Sequence, residues 1–82
     1  MSEARITGER LRAARALLGW RQSDLAGAAG LHERAVQQIE AGTRRGRPET
    51  HARLRAALEA AGVRFTAGGV SLAKGARRRG AE

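Results

Sequence analysis

Eighty-two residues carrying 16 basic and 8 acidic side chains, a net charge of +8, bound one small domain with a limited core. The chain has no cysteine, which excludes disulfides and thiolate metal sites; no apolar run approaches the ~20 residues of a membrane span, and the opening MSEARITGER lacks the apolar stretch of a signal peptide, so a cytoplasmic chain with no membrane partner is expected. All but one of the basic residues are arginine, which favours a polyanionic partner, although abundant Arg, Ala and Gly equally fit a GC-rich coding sequence.

In chain order, residues 1–6 read as a frayed lead-in. A helix is expected from Thr7 or Gly8 to about Leu18, because Leu11, Ala14 and Leu18 recur at three- and four-residue steps and form one buried stripe. Glu9 in its first turn and Arg15 in its last suit the helix dipole, and Gly19 stops it. Residues 22–42, QSDLAGAAGLHERAVQQIEAG, hold two short apolar-periodic segments. The first contains Leu25, Ala26 and Ala29; the second contains Val36 and Ile39; the break between them is Ala29-Gly30-Leu31. Two helices joined by so short a turn, with Gly in it, read as a helix-turn-helix.

The second of these helices starts near Glu33 and turns Val36 and Ile39 to one face. Glu33, Arg34, Gln37 and Gln38 are left over. Their long polar ends suit base edges: Arg forks onto guanine, Gln onto adenine, and a carboxylate accepts from cytosine. A solvated helix face is the bland alternative. Gly42 ends this helix, and the loop that follows is crowded with Arg44, Arg45 and Arg47. Pro48 fits the first turn of a fourth helix over residues 48–61, with Leu54, Ala57, Leu58 and Ala61 on one face and Gly62 as its stop. The period then changes. Val63-Arg64-Phe65-Thr66 and Val70-Ser71-Leu72 alternate apolar and polar around Ala67-Gly68-Gly69, as in two short strands and a turn. An isolated hairpin is unstable, so this one must pack on the helices or pair with another copy. Residues 74–82, KGARRRGAE, have no apolar periodicity and read as a disordered basic tail.

Gln22, Leu25, Ala26, Ala29, Gly30, Val36, Ile39, Glu40 and Gly42 together resemble the helix-turn-helix of the Cro and phage-repressor superfamily, the Xre family, with the match running over about residues 8–62. The resemblance implies a mainly α fold, a compact four-helix helix-turn-helix domain over residues 1–62 (lambda-repressor-like). A C-terminal β segment over residues 63–73 and the tail at residues 74–82 follow. It implies that Arg15 and Glu40 form an ion pair tying the first helix to the third, and that Gln22 meets a DNA phosphate while bracing the recognition helix. It also implies that the loop bearing Arg44, Arg45 and Arg47 lies over the sugar-phosphate backbone, where contacts anchor without specifying. The family often has Ser or Thr where Arg21 and His32 stand, so the helix caps there are weakened and both side chains become phosphate candidates. Trp20 replaces a buried aliphatic residue of the family, which favours a core plug over base stacking.

The resemblance therefore implies a sequence-specific regulator of transcription, bacterial or phage in origin and nucleoid-associated, that binds double-stranded DNA as a homodimer. Val63, Phe65, Val70 and Leu72 are expected at the dimer contact, with packing inside one chain as the alternative. An antitoxin that represses its own operon, with a toxin as protein partner, is a second reading. An RNA- or ribosome-associated domain, or a protein-interaction module with a degenerate helix-turn-helix, is a third; Glu33 facing phosphates favours the last of these. No enzyme activity, cofactor or metal is expected, because His32 and His51 stand alone and no carboxylates cluster.

Overall fold

The Thr7 hydroxyl accepts from the Arg10 amide, and the first helix, α1 (Gly8–Leu18), begins there with its first turn satisfied by its own N-cap. The computed structural model describes residues 5–73. After α1 come α2 (Gln22–Ala29), α3 (Glu33–Ala41) and α4 (Pro48–Ala60), then an antiparallel hairpin of β1 (Val63–Thr66) and β2 (Gly69–Leu72). The basic tail expected at residues 74–82, and residues 1–4 of the expected lead-in, lie outside the described residues.

The turn between α2 and α3 works as the sequence requires. Gly30 has φ +71, a left-handed conformation that a Cβ would disfavour, and its amide closes the end of α2. The Leu31 amide reaches back to the Ala26 carbonyl, 2.9 Å away. Leu31 itself packs half-buried on the core. With the turn so short, α2 and α3 must lie against each other, and α4 closes over α2. Leu11, Leu18, Leu25, Val36, Leu54 and Leu58 are fully buried between the helices. Trp20 packs on this core as a partly buried plug.

Neither Arg21 nor His32, the N-caps of α2 and α3, makes a side-chain capping bond, as expected for residue types poorly suited to accept a backbone N–H. At α2 the loss is offset by Asp24, whose carboxylate accepts from the Arg21 amide at 2.8 Å.

Three expectations are corrected here. The residues just before α1 are not a frayed lead-in throughout: Ile6 is 3% exposed, inside the core, and its amide donates to His51 Nδ1 at 2.9 Å. Val63, expected at a contact between copies, is 2% exposed in the single chain. The alternation of β1 and β2 sets Val63 opposite Leu72 and Phe65 opposite Val70 on one face, and the hairpin packs on α1 and α4 of its own chain. A side chain so enclosed has no surface left for a partner. The turn is also one residue shorter than expected, since Gly69 pairs with Thr66.

Arg10 fastens the hairpin to α1. Its Nη2 donates to the carbonyls of Thr66 and Gly69, the latter at 2.7 Å. Two guanidiniums lie over the Phe65 ring, with Arg10 Cζ 5.5 Å and Arg55 Cζ 4.9 Å from its centre. Both contacts are in the range of a cation–π interaction.

Candidate nucleic-acid interface

The site is built on Glu40, the last charged residue of α3. A carboxylate only 5% exposed must be fully partnered, or burial would be strongly unfavourable. Arg15 supplies a fork, Nε to Oε2 at 2.7 Å and Nη2 to Oε1 at 2.9 Å. Gln22 Nε2 adds a third bond, to Oε1 at 3.0 Å. Arg12 Nη1 donates to the Glu40 backbone carbonyl at 2.9 Å. Gly8 brings the start of α1 so close that a side chain there would overlap the Glu40 backbone, with the carbonyl carbon 2.9 Å from its β position. The end of α3 is thus fastened to α1 and to the first residue of α2, and its opposite face is set outward.

That outward face holds the residues expected to read bases. Glu33, Arg34 and Gln37 are exposed, and Gln38 is half-buried, whereas Val36 and Ile39 point into the core. The polar ends are held only loosely: Gln37 Nε2 to Glu33 Oε2 is 3.4 Å, and Arg44 Nη1 to Gln38 Oε1 is 3.4 Å. Bonds this long and this exposed are readily exchanged for a base edge.

The residues expected at phosphates surround this face. Arg21 and His32 stand exposed at the starts of α2 and α3, where free backbone amides favour anions. Arg44 and Arg45 are exposed in the loop after α3, and Arg47 is exposed at the start of α4. Gln22 is half-buried, with its amide engaged by Glu40. A concavity beside the helix-turn-helix is bordered by Leu31, His32, Arg34 and Arg44, so the turn, the reading face and the arginine loop meet at one place. Phe65, Val70 and Leu72 are not brought to this place; they sit half-buried in the hairpin, against α1 and α4.

Sequence reasoning missed Gly8, Arg12 and, above all, His51. The ring of His51 is 1% exposed, accepts from Ile6 through Nδ1, and approaches the Arg45 carbonyl with Nε2 at 2.6 Å. A signal was present: His51 stands at i with Leu54 at i+3 and Leu58 at i+7, on the buried stripe of α4. Gly8 and Arg12 left no comparable trace, because both act on the backbone of a residue remote in the chain.

Among the described residues, no group of three or more His, Cys, Asp or Glu side chains could hold a metal ion, and no helix is long and apolar enough to cross a membrane. A family model described as helix-turn-helix, HTH_3, matches residues 11–60, more than half of the chain. No curated protein matches it. The matched span begins in α1, takes in the helix-turn-helix and its Arg15–Glu40 fastening, and ends with α4, so the chain belongs to the Cro/C1-type, Xre-like helix-turn-helix family of DNA-binding regulators.

Proposed function

We propose that this chain regulates transcription by reading a specific sequence of double-stranded DNA through α3 in the major groove. The observation that carries this is the division of labour on α3. Glu40 is buried and tied down, while Glu33, Arg34, Gln37 and Gln38 present at most loosely bonded polar ends on the other side. An anchored helix with a loosely bonded polar face is what direct readout demands. Arg21, His32, Arg44, Arg45 and Arg47 flank that face and serve as sequence-blind contacts to phosphates, with Gln22 beside them at the start of α2.

Selection of bound fragments from a random duplex pool tests the reading; an enriched motif is expected, and uniform recovery of all sequences would remove it. Arg34→Ala should lower affinity for the selected sequence by roughly 1–3 kcal/mol if the guanidinium forks onto a guanine. Its effect on random duplex should be far smaller. Equal losses on both, measured by fluorescence anisotropy, would count against Arg34 as a reader.

The regulator acts as a homodimer in this proposal, with two copies of α3 about one helical turn apart, ~34 Å, on a near-palindromic site. Among the described residues, both outer edges of the two-stranded β1-β2 sheet lack a ladder partner, and Phe65, Val70 and Leu72 remain partly exposed in it. Sedimentation equilibrium should give twice the mass of one chain without DNA, and two chains plus one duplex with the selected DNA. A single chain under both conditions, together with a selected motif lacking two-fold symmetry, would refute the dimer.

A further inference from the structure

The residues just before α1 have no task in a helix-turn-helix, yet they are held firmly. Ile6 N–H donates to His51 Nδ1, and a ring nitrogen that accepts carries no proton. The hydrogen of the neutral ring therefore sits on Nε2 and is donated to the Arg45 carbonyl. One buried imidazole links the N-terminal segment to the arginine loop. The consequence is electrostatic. Arg5, next to Ile6, borders a concavity of about 260 Å³ whose other walls include Thr7, Thr43, Arg44 and Arg45, with Ile39 and His51 also lining it. Three arginines from two distant segments line one hollow, and none of its lining residues is acidic.

We propose that this hollow seats a phosphate of the DNA backbone, with Arg5 as a contact supplied from outside the helix-turn-helix and His51 as the residue that positions it. The inference rests on the reading that the loop after α3 lies along the DNA backbone. Arg44 borders both this hollow and the one beside Arg34, so the two adjoin at that residue. Three cations around an open hollow suit a passing polyanion, whose release of counterions would make binding steeply salt-dependent.

The test is a salt series of binding to a random-sequence duplex, using the full chain. Arg5→Ala and Arg45→Ala should each flatten the slope of log K against log salt by about 0.9, the value of one phosphate contact on B-DNA. His51→Gln keeps a donor for the Arg45 carbonyl but loses the acceptor for Ile6. It should show the flattened slope of Arg5→Ala, and Arg5→Ala should add nothing further in that background. A merely structural histidine would not give this epistasis. If Arg45→Ala flattens the slope and Arg5→Ala does not, the Arg5 contact is overturned while the loop still grips DNA. If neither does, the loop reading falls as well. If Arg5→Ala flattens the slope equally in both backgrounds, His51 does not position Arg5. Arg5 is exposed, so its substitution decides the site even if a His51 variant fails to fold.

Discussion

Glu40→Ala is expected to destabilise the fold by about 3 kcal/mol, within the range for breaking a buried charge pair. In a domain of this size that corresponds to a fall in Tm of roughly 12–24 °C. The magnitude follows from what is left behind. Arg15 is only 18% exposed in its side chain, so its guanidinium would lose two charge-assisted bonds without regaining full hydration. Gln22 would lose its acceptor at the same time. A second ion pair in the chain supplies the comparison. Arg55 Nε lies 3.0 Å from Glu59 Oε2 in α4, but both side chains are exposed, at 39% and 48%. Removing Glu59 as Ala should change stability by no more than about 0.5 kcal/mol, because water replaces the lost partner. Thermal melts of the two variants check the argument; similar Tm values would show that burial of Glu40 does not decide its worth. Glu40→Ala should also weaken binding to selected and random duplex together, since a loosened α3 loses its placement relative to the arginines of the loop.

What could be read from the chain and what could not divide along a physical line. Local features were legible. Leu11, Ala14 and Leu18 at helical spacing gave α1, Gly30 gave the turn, Pro48 gave the start of α4, and Val36 with Ile39 left Glu33, Arg34, Gln37 and Gln38 facing outward. Each depends on neighbours within a turn or two, where periodicity and backbone preference act. Tertiary bonds to backbone groups were not legible. Ile6 looked frayed because its partner, His51, is remote in sequence, and nothing in the spacing of α1 marks Arg10, which holds the carbonyls of the hairpin turn. Alternation in β1 identified an apolar face but could not say whether that face met its own helices or a second copy; Val63 is buried on its own helices. Arg15 with Glu40 was visible only through family resemblance, since nothing in spacing pairs two charges on different helices.

Gly46→Ala is expected to destabilise the fold by about 3 kcal/mol, where Gly42→Ala costs about 1 kcal/mol. Both glycines lie in the segment after α3 with similar left-handed backbones, φ +85 and φ +80, so the strain of placing a Cβ there is common to both. Their surroundings differ. A Cβ on Gly42 would meet nothing within 4 Å. A Cβ on Gly46 would sit 2.9 Å from His51 Nε2 and 3.1 Å from Ile39 Cδ1. Neither neighbour can withdraw cheaply: Ile39 is packed in the core, and the His51 ring is held at both nitrogens. Overpacking of this kind typically costs about 1–3 kcal/mol beyond the backbone strain. The ring can make room only by releasing Ile6 or the Arg45 carbonyl. Gly46→Ala should therefore also reduce sequence-blind DNA affinity through the loop, while Gly42→Ala leaves the Ile6–His51–Arg45 link in place. Chemical denaturation measures the first difference and anisotropy on random duplex the second. Equal stabilities for the two variants would show that the ring yields at no cost, and that His51 does not clamp the arginine loop.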